Sequence, residues 1–99
     1  MAGTLALIRP DWPAPARVRA AATTRAGGVS AGRYASLNLG DHVGDAAAAV
    51  RENRLRLRRA LDLAAEPLWL RQVHGATVVE TSGAGAAADA MIADGTGAV

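Results

Sequence analysis

The chain is organised around residues 68–75, which read Leu68-Trp69-Leu70-Arg71-Gln72-Val73-His74-Gly75. If this segment is extended, its side chains alternate between two faces, and the face that ends in Gln72 and His74 begins with leucines. The pattern predicts a strand that is buried at its start and presents a glutamine and a histidine at the rim of a sheet. An imidazole placed there can bind a metal, transfer a proton or donate a hydrogen bond. A histidine that only closes a hairpin is the alternative interpretation.

The residues after Gly75 predict the pairing of this strand. Residues 77–81 are rich in β-branched side chains, so we expect them to pair back as a hairpin through a Gly75-Ala76 turn. Residues 88–93 predict a further short strand, residues 94–97 a turn, and Ala98-Val99 the first step of another strand. Near the N terminus, residues 5–8 and 17–24 predict two strands on either side of a proline-rich loop.

One helix is predicted, from Ala46 to Asp62, with Asp45 as its N-cap. Its apolar stripe consists of Val50, Leu57 and Leu61. Asn53 lies beside this stripe, where we expect its amide to cap a neighbouring loop. The arginines of the helix fall mostly away from the stripe and are typical of a solvated face.

Two loops carry candidate site residues. Gly27-Gly28 follows Arg25, which indicates either a backbone that approaches an anionic ligand or a glycine hairpin turn beside a solvated arginine. Residues 34–45 are polar and punctuated by glycine, with leucines and Val43 as expected anchors. Asn38 and His42 on this loop indicate either local turns or a site.

Composition restricts the class of protein. The chain has 99 residues, 51% of them apolar, no phenylalanine and much alanine, which predicts one small domain with a thin core. All 11 basic residues are arginine, the net charge is +2, and no aromatic residues interleave with the arginines, so a nucleic-acid surface is not expected. The absence of cysteine excludes a disulfide and a thiolate within these residues. Without a signal peptide or an apolar run long enough for a membrane span, we expect a soluble, cytoplasmic protein.

Five motifs occur in order and at the gaps found in the YfiH family, which the chain therefore resembles. They are Thr-Thr-Arg-x-Gly-Gly-Val-Ser (23–30), Tyr-x-Ser-Leu-Asn-Leu-Gly-x-His-Val-Gly-Asp (34–45), Glu-Asn-Arg (52–54), Trp-Leu-x-Gln-Val-His-Gly (69–75) and Ala-Asp-Ala (88–90). This family is also described as multicopper polyphenol oxidase (laccase-like), peptidoglycan editing factor and purine nucleoside phosphorylase. The resemblance implies a layered α/β (α+β) fold with a mixed, largely antiparallel sheet. It also implies that residues 1–99 are the N-terminal part of a single domain whose sheet is incomplete in this chain.

The resemblance further implies a function and a metal. The expected activity is that of a zinc-dependent purine nucleoside phosphorylase, with adenosine deaminase and methylthioadenosine phosphorylase activity, acting on purine nucleosides and phosphate. His74 would be the catalytic residue and metal ligand that this chain supplies, and the remaining ligands would lie outside it. Arg25, Asn38, His42 and Asp89 are the expected substrate-binding residues.

Two alternatives stay open at this point. One is a copper-dependent polyphenol oxidase, although two histidines are few for a reaction that uses several coppers. The other is a fragment without activity of its own. The sequence contains no indication of an oligomeric state.

Overall fold

The architecture is that of a computed structural model that describes residues 4–80 and 85–93. Its elements in chain order are β1 (Leu7–Ile8), β2 (Ala22–Thr23), a 3-10 turn (Gly32–Tyr34), α1 (Ala47–Ala60), β3 (Val78–Glu80) and β4 (Ala90–Ile92). The predicted α+β class is confirmed, as one helix is combined with small sheets of mixed pairing. The helix has 14 residues, and the described part of the chain offers no helix that could cross a membrane.

The helix forms where the apolar period predicts it, but it begins one residue later than Ala46 and ends two residues before Asp62. Val50 and Leu57 are buried, whereas Leu61 lies at the C-cap and is half-buried. Asp45 is not the N-cap, because the cap position is Ala46 and no side chain caps it. The Asp45 carboxylate instead accepts hydrogen bonds from Ser30 Oγ, from Asn38 Nδ2 at 3.2 Å and from the Ala46 N–H at 2.8 Å.

Asn53 joins the helix to the loops around it, and it is fully buried. Its Oδ1 accepts the Val29 N–H at 2.8 Å, while its Nδ2 donates to Ser30 Oγ and to the Asn38 carbonyl, both at 2.8 Å. The prediction that Asn53 caps a neighbouring loop is confirmed, and two loops are capped rather than one. We call residues 28–30, 36–38, Asp45 and Asn53 the loop hub.

Gly28 explains why the loop hub needs glycine. A Cβ at this position would lie 2.1 Å from the Ser36 carbonyl oxygen and 2.6 Å from Asn53 Oδ1. The glycine pair therefore serves the close approach of two loops rather than a hairpin turn. Of the three expected anchors of loop 34–45, Leu37 is buried and Leu39 half-buried, but Val43 is 43% exposed and the prediction for it is wrong.

The first two predicted strands are shorter than expected. β1 and β2 pair antiparallel over two residues each, with Leu7 opposite Thr23 and Ile8 opposite Ala22. The prediction of a strand from residue 17 is wrong, because Pro15 starts a turn in which the Val18 N–H donates to the Pro15 carbonyl at 2.8 Å. The ladder therefore begins only at Ala22.

The predicted hairpin of residues 68–74 with residues 77–81 is also wrong, although Thr81 itself lies outside the described residues. β3 pairs in parallel with β4, Val78 opposite Ala90, and residues 68–74 contain only one parallel bridge, between Arg71 and Ala87. Residues 85–90 form backbone hydrogen bonds with both segments. For example, the Gly85 N–H donates to the Trp69 carbonyl at 2.8 Å, and the Asp89 N–H donates to the Thr77 carbonyl at 2.8 Å. The predicted strand at residues 88–93 is confirmed as β4, and the elements predicted for residues 94–99 lie outside the described residues.

Candidate functional site

A cleft of about 450 Å³ opens between the loop after Leu39, the helix and the segment that precedes His74. Its lining consists of Asp41, His42, Arg54, Trp69, Leu70, Arg71 and Gly85. Three of the five sequence motifs thus meet at one cavity, since residues 34–45, 52–54 and 69–75 all contribute to it. We call this cavity the first cleft.

Arg54 connects the helix to the two other segments that form the first cleft. Its guanidinium carbon lies 4.1 Å from the centre of the Trp69 ring, a cation–π distance. Its Nε donates to the Leu39 carbonyl at 2.9 Å, and its Nη2 lies 3.8 Å from Asp41 Oδ1. Neither Arg54 nor Trp69 was predicted as a site residue, although the Glu-Asn-Arg and Trp-Leu motifs contained the signal.

His42 is placed in the first cleft with both ring nitrogens near a partner. Nε2 lies 3.2 Å from the Gln72 carbonyl oxygen, and because a carbonyl only accepts, this nitrogen is assigned as the donor. Nδ1 faces Asp41 Oδ1 at 3.6 Å. The His42 ring therefore links loop 34–45 to the backbone two residues before His74.

His74 does not line either cleft described here, and its environment differs from the predicted strand end. Its backbone has φ +56°, the left-handed region that costs a residue with a Cβ about 1–2 kcal/mol. The side chain is exposed, and within residues 4–80 and 85–93 its imidazole has no hydrogen-bond or ion-pair partner. A left-handed backbone that carries an imidazole without a partner in the described part of the chain makes His74 a candidate for a functional role.

Asp89 lies against the turn that carries His74. Its Oδ2 accepts the Thr77 N–H at 3.2 Å. Burial acts to raise the pKa of Asp89, but the N–H groups of Gly75, Thr77, His74 and Val73 outweigh it, and the net result is a pKa below the ordinary value. The other oxygen, Oδ1, is buried and has no hydrogen-bond partner among the described residues.

Arg25 and Asn38 belong to a second cleft of about 350 Å³. Its lining consists of Arg25, Arg33, Tyr34, Ala35, Leu37 and Asn38. Two guanidinium groups and no acidic side chain line it within the described part of the chain. Arg25 Nε donates to the Ala35 carbonyl at 3.0 Å, while its two Nη groups have no hydrogen-bond partner within those residues.

The Asn38 side chain forms three hydrogen bonds within its own loop, more than the sequence indicated. Its Nδ2 donates to the Gly40 carbonyl and to Asp45 Oδ2, and its Oδ1 accepts the Gly40 N–H at 3.1 Å. The amide therefore shapes the loop that leads to His42. The structure thus brings His42 close to the His74 segment and Asp89 against the His74 turn, and it places Arg25 and Asn38 together in the second cleft.

The described residues offer a metal ion one imidazole without a partner and therefore an incomplete set of ligands. No group of three His, Cys, Asp or Glu side chains that could hold a metal ion occurs in residues 4–80 and 85–93. The exposed His74 ring is the group best suited to act as a ligand, since the nitrogens of His42 are directed at Gln72 and Asp41. The described residues therefore fit a zinc ion only in part, with His74 as one of its ligands.

Comparison with known proteins gives consistent matches. The family model described as multi-copper polyphenol oxidoreductase laccase matches residues 19–99. A Pseudomonas aeruginosa protein named purine nucleoside phosphorylase is 61% identical over 75 residues, which is 76% of this chain and 30% of that protein. The Escherichia coli purine nucleoside phosphorylase YfiH is 52% identical over 77 residues, 78% of this chain and 32% of the relative.

A solved structure agrees with the fold. The crystal structure of a Neisseria meningitidis protein superimposes with a TM-score of 0.64 and 49% sequence identity, covering 75% of this chain and 30% of that one. The chain thus spans about a third of the length of the proteins that it matches.

Proposed function

The chain belongs to the multi-copper polyphenol oxidoreductase laccase family, and on this premise we propose that it contributes to a zinc-dependent purine nucleoside phosphorylase. The observation that carries the proposal is that relatives 61% and 52% identical to the matched residues are named purine nucleoside phosphorylases. The substrates would be a purine nucleoside and phosphate. Adenosine deamination and methylthioadenosine phosphorolysis are further activities that we propose for the same site.

His74 would supply one ligand to the zinc ion. The left-handed backbone supports this role, as does the exposed ring, which has no partner within residues 4–80 and 85–93, because a ligand must keep a nitrogen free for the metal. When bound, zinc supplies Lewis acidity and lowers the pKa of its water, the chemistry that deamination needs.

Arg25 would bind the phosphate. In phosphorolysis a phosphate oxygen forms a bond to C1′ of the ribose while the C1′–N bond to the purine breaks, and the products are ribose 1-phosphate and the base. The attacking group is an anion, and the second cleft offers it two guanidinium groups without a competing carboxylate among the described residues.

His42 and Asn38 would serve the nucleoside from the loop between the two clefts. His42 lies in the first cleft beside Trp69, a place where a base or ribose can be hydrogen-bonded. Asn38 would act mainly by holding this loop, because its amide is already bonded to Gly40 and Asp45. Asp89 would act on the turn that carries His74.

The test is a chimera in which the part of this chain that aligns over 77 residues with the Escherichia coli relative replaces its counterpart there. We expect phosphate-dependent release of the base from adenosine and inosine, and loss of this activity in His74→Ala. Arg25→Ala should raise the KM for phosphate about tenfold or more, the value of a charge-assisted hydrogen bond, with a much smaller change in the KM for nucleoside. Arg51→Ala, an exposed arginine on the helix, is the matched control.

A second function is favoured by the family description, namely a copper-dependent polyphenol oxidase. Oxygen consumption with a phenol in the copper-loaded chimera, without phosphate-dependent base release in the zinc-loaded one, would favour this function and contradict the first. A folded chimera that shows neither reaction would contradict both.

A further inference from the structure

The turn that carries His74 lacks internal backbone support. Within the described residues, no hydrogen bond joins one backbone group of residues 72–76 to another. Yet the backbone at His74 has φ +56°, a left-handed conformation that is uncommon and unfavourable for a residue with a Cβ. Something outside the turn must therefore stabilise it.

Among the described residues, the His42 ring reaches one end of this turn, with Nε2 3.2 Å from the Gln72 carbonyl oxygen, and beside Gly75 the turn is contacted by Asp89. Its Oδ2 accepts the Thr77 N–H at 3.2 Å, and a Cβ added to Gly75 would lie 3.4 Å from the same oxygen. A carboxylate is the side chain suited to this position, because its charge and its lone pairs can serve several N–H donors at once.

Asp89 is itself fixed on both sides of the turn. The Ala88 N–H donates to the Arg71 carbonyl at 3.1 Å, and the Asp89 N–H donates to the Thr77 carbonyl at 2.8 Å. Ala88 is fully buried. The backbone that carries the carboxylate is thus hydrogen-bonded to residues on both sides of the His74 turn.

We propose that Asp89 is a positioning residue whose carboxylate holds the His74 turn in its left-handed conformation and so directs the imidazole. The role toward zinc rests on the proposed function, whereas the effect on the turn does not. Oδ1, buried and unpartnered within the described residues, makes the arrangement unfavourable as a purely structural one, which agrees with a role in positioning.

The experiment measures amide hydrogen exchange by NMR in the full 99-residue chain, without metal or substrate. In the wild type we expect the Thr77 amide to exchange at least tenfold more slowly than in an unfolded peptide. In Asp89→Asn this protection should fall at least tenfold, while the amides of Val50 and Leu57 in the helix keep theirs. Asp11→Asn removes the same charge from an exposed position and should change neither.

The second readout is the backbone conformation of His74, obtained from cross-correlated relaxation, which separates positive from negative φ. We expect a positive φ in the wild type and in Asp11→Asn, and an average over several conformations in Asp89→Asn. A role confined to general stability would leave this value unchanged as long as the helix stays protected.

Three results would overturn the inference: an unprotected Thr77 amide in the wild type, an unchanged turn in Asp89→Asn, or equal loss of protection in the turn and the helix. The first result needs no variant, so the test does not depend on the folding of Asp89→Asn. If the turn responds as expected but the chimera shows no phosphorolysis, the proposed function fails and the role of Asp89 in the turn stands.

Discussion

The loop hub and the His74 turn hold their backbones in opposite ways. In the hub, a fully buried amide makes three hydrogen bonds to two loops, and Gly28 leaves no space for a methyl group. At the turn, the side chains are exposed, the backbone is left-handed at His74, and the contacts come from the Asp89 carboxylate and the His42 ring. The difference indicates that the hub is held by its own buried hydrogen bonds, whereas the turn depends on contacts from residues outside it.

The largest effect should come from Asn53. Asn53→Ala leaves the Val29 N–H, the Ser30 hydroxyl and the Asn38 carbonyl without their buried partner, which should lower the free energy of unfolding by about 3 kcal/mol or more. Urea unfolding followed by circular dichroism measures it. Arg51→Ala on the exposed side of the same helix should stay within about 0.5 kcal/mol. Equal effects of the two variants would remove the distinction between the hub and the rest of the chain.

Two glycine substitutions compare the regions directly. In Gly28→Ala the new Cβ meets the Ser36 carbonyl, and overpacking of this kind should cost about 2 kcal/mol or more. In Gly75→Ala the nearest atom is Asp89 Oδ2 at an ordinary 3.4 Å, so stability should change by less than about 1 kcal/mol in either direction. Thermal unfolding of both variants measures the contrast, and a larger loss at Gly75 would reverse our account of the two regions.

Asp45 should make a smaller contribution to the free energy of unfolding, and this contribution should be lost in acid. The hydrogen bond from Ser30 outweighs the effect of burial and, with those from Asn38 and Ala46, holds the pKa of Asp45 below its ordinary 3.8. The stability that Asp45 contributes is therefore fully present above pH 3.8 and is lost as the pH falls toward the lower folded-state pKa. Urea midpoints at pH 6 and pH 3 (chosen roughly on either side of this range) should differ less in Asp45→Asn than in the wild type. Asp11→Asn should retain the wild-type difference, and a wild-type midpoint that does not change with pH would contradict the prediction.

The helix and the hub could be predicted because local signals decide them. The period of Val50 and Leu57 places the buried face, and a polar Asn53 beside it requires a partner from a loop. The glycine pair was ambiguous in the sequence, because a close approach of two loops and a hairpin turn use the same residues. Asp45 was assigned as a cap because capping needs only its immediate neighbours, whereas its bond to Ser30 spans 15 residues.

The pairing of residues 68–74 and 77–81 could not be predicted correctly, because the segment that pairs with both of them lies farther along the chain. Residues 85–90 are mostly alanine and carry little periodic signal, yet they pair with Arg71 and Val78 and separate the two expected strands. The stack of Arg54 on Trp69 joins residues 15 positions apart, and an arginine on a helix does not reveal such a partner in sequence. The placement of His42 against Gln72 also depends on tertiary contacts.

The most direct test of the central claim, that His74 is a metal ligand presented by an incomplete site, is a zinc titration of the chain followed by NMR. We expect the ring resonances of His74 to shift before those of His42, with a Kd no tighter than about micromolar, because one imidazole forms an incomplete site. The hub amides around Asn53 should not move, and His74→Ala should abolish the response. Zinc-induced shifts at His42 with none at His74, or a nanomolar affinity in the isolated chain, would contradict the account.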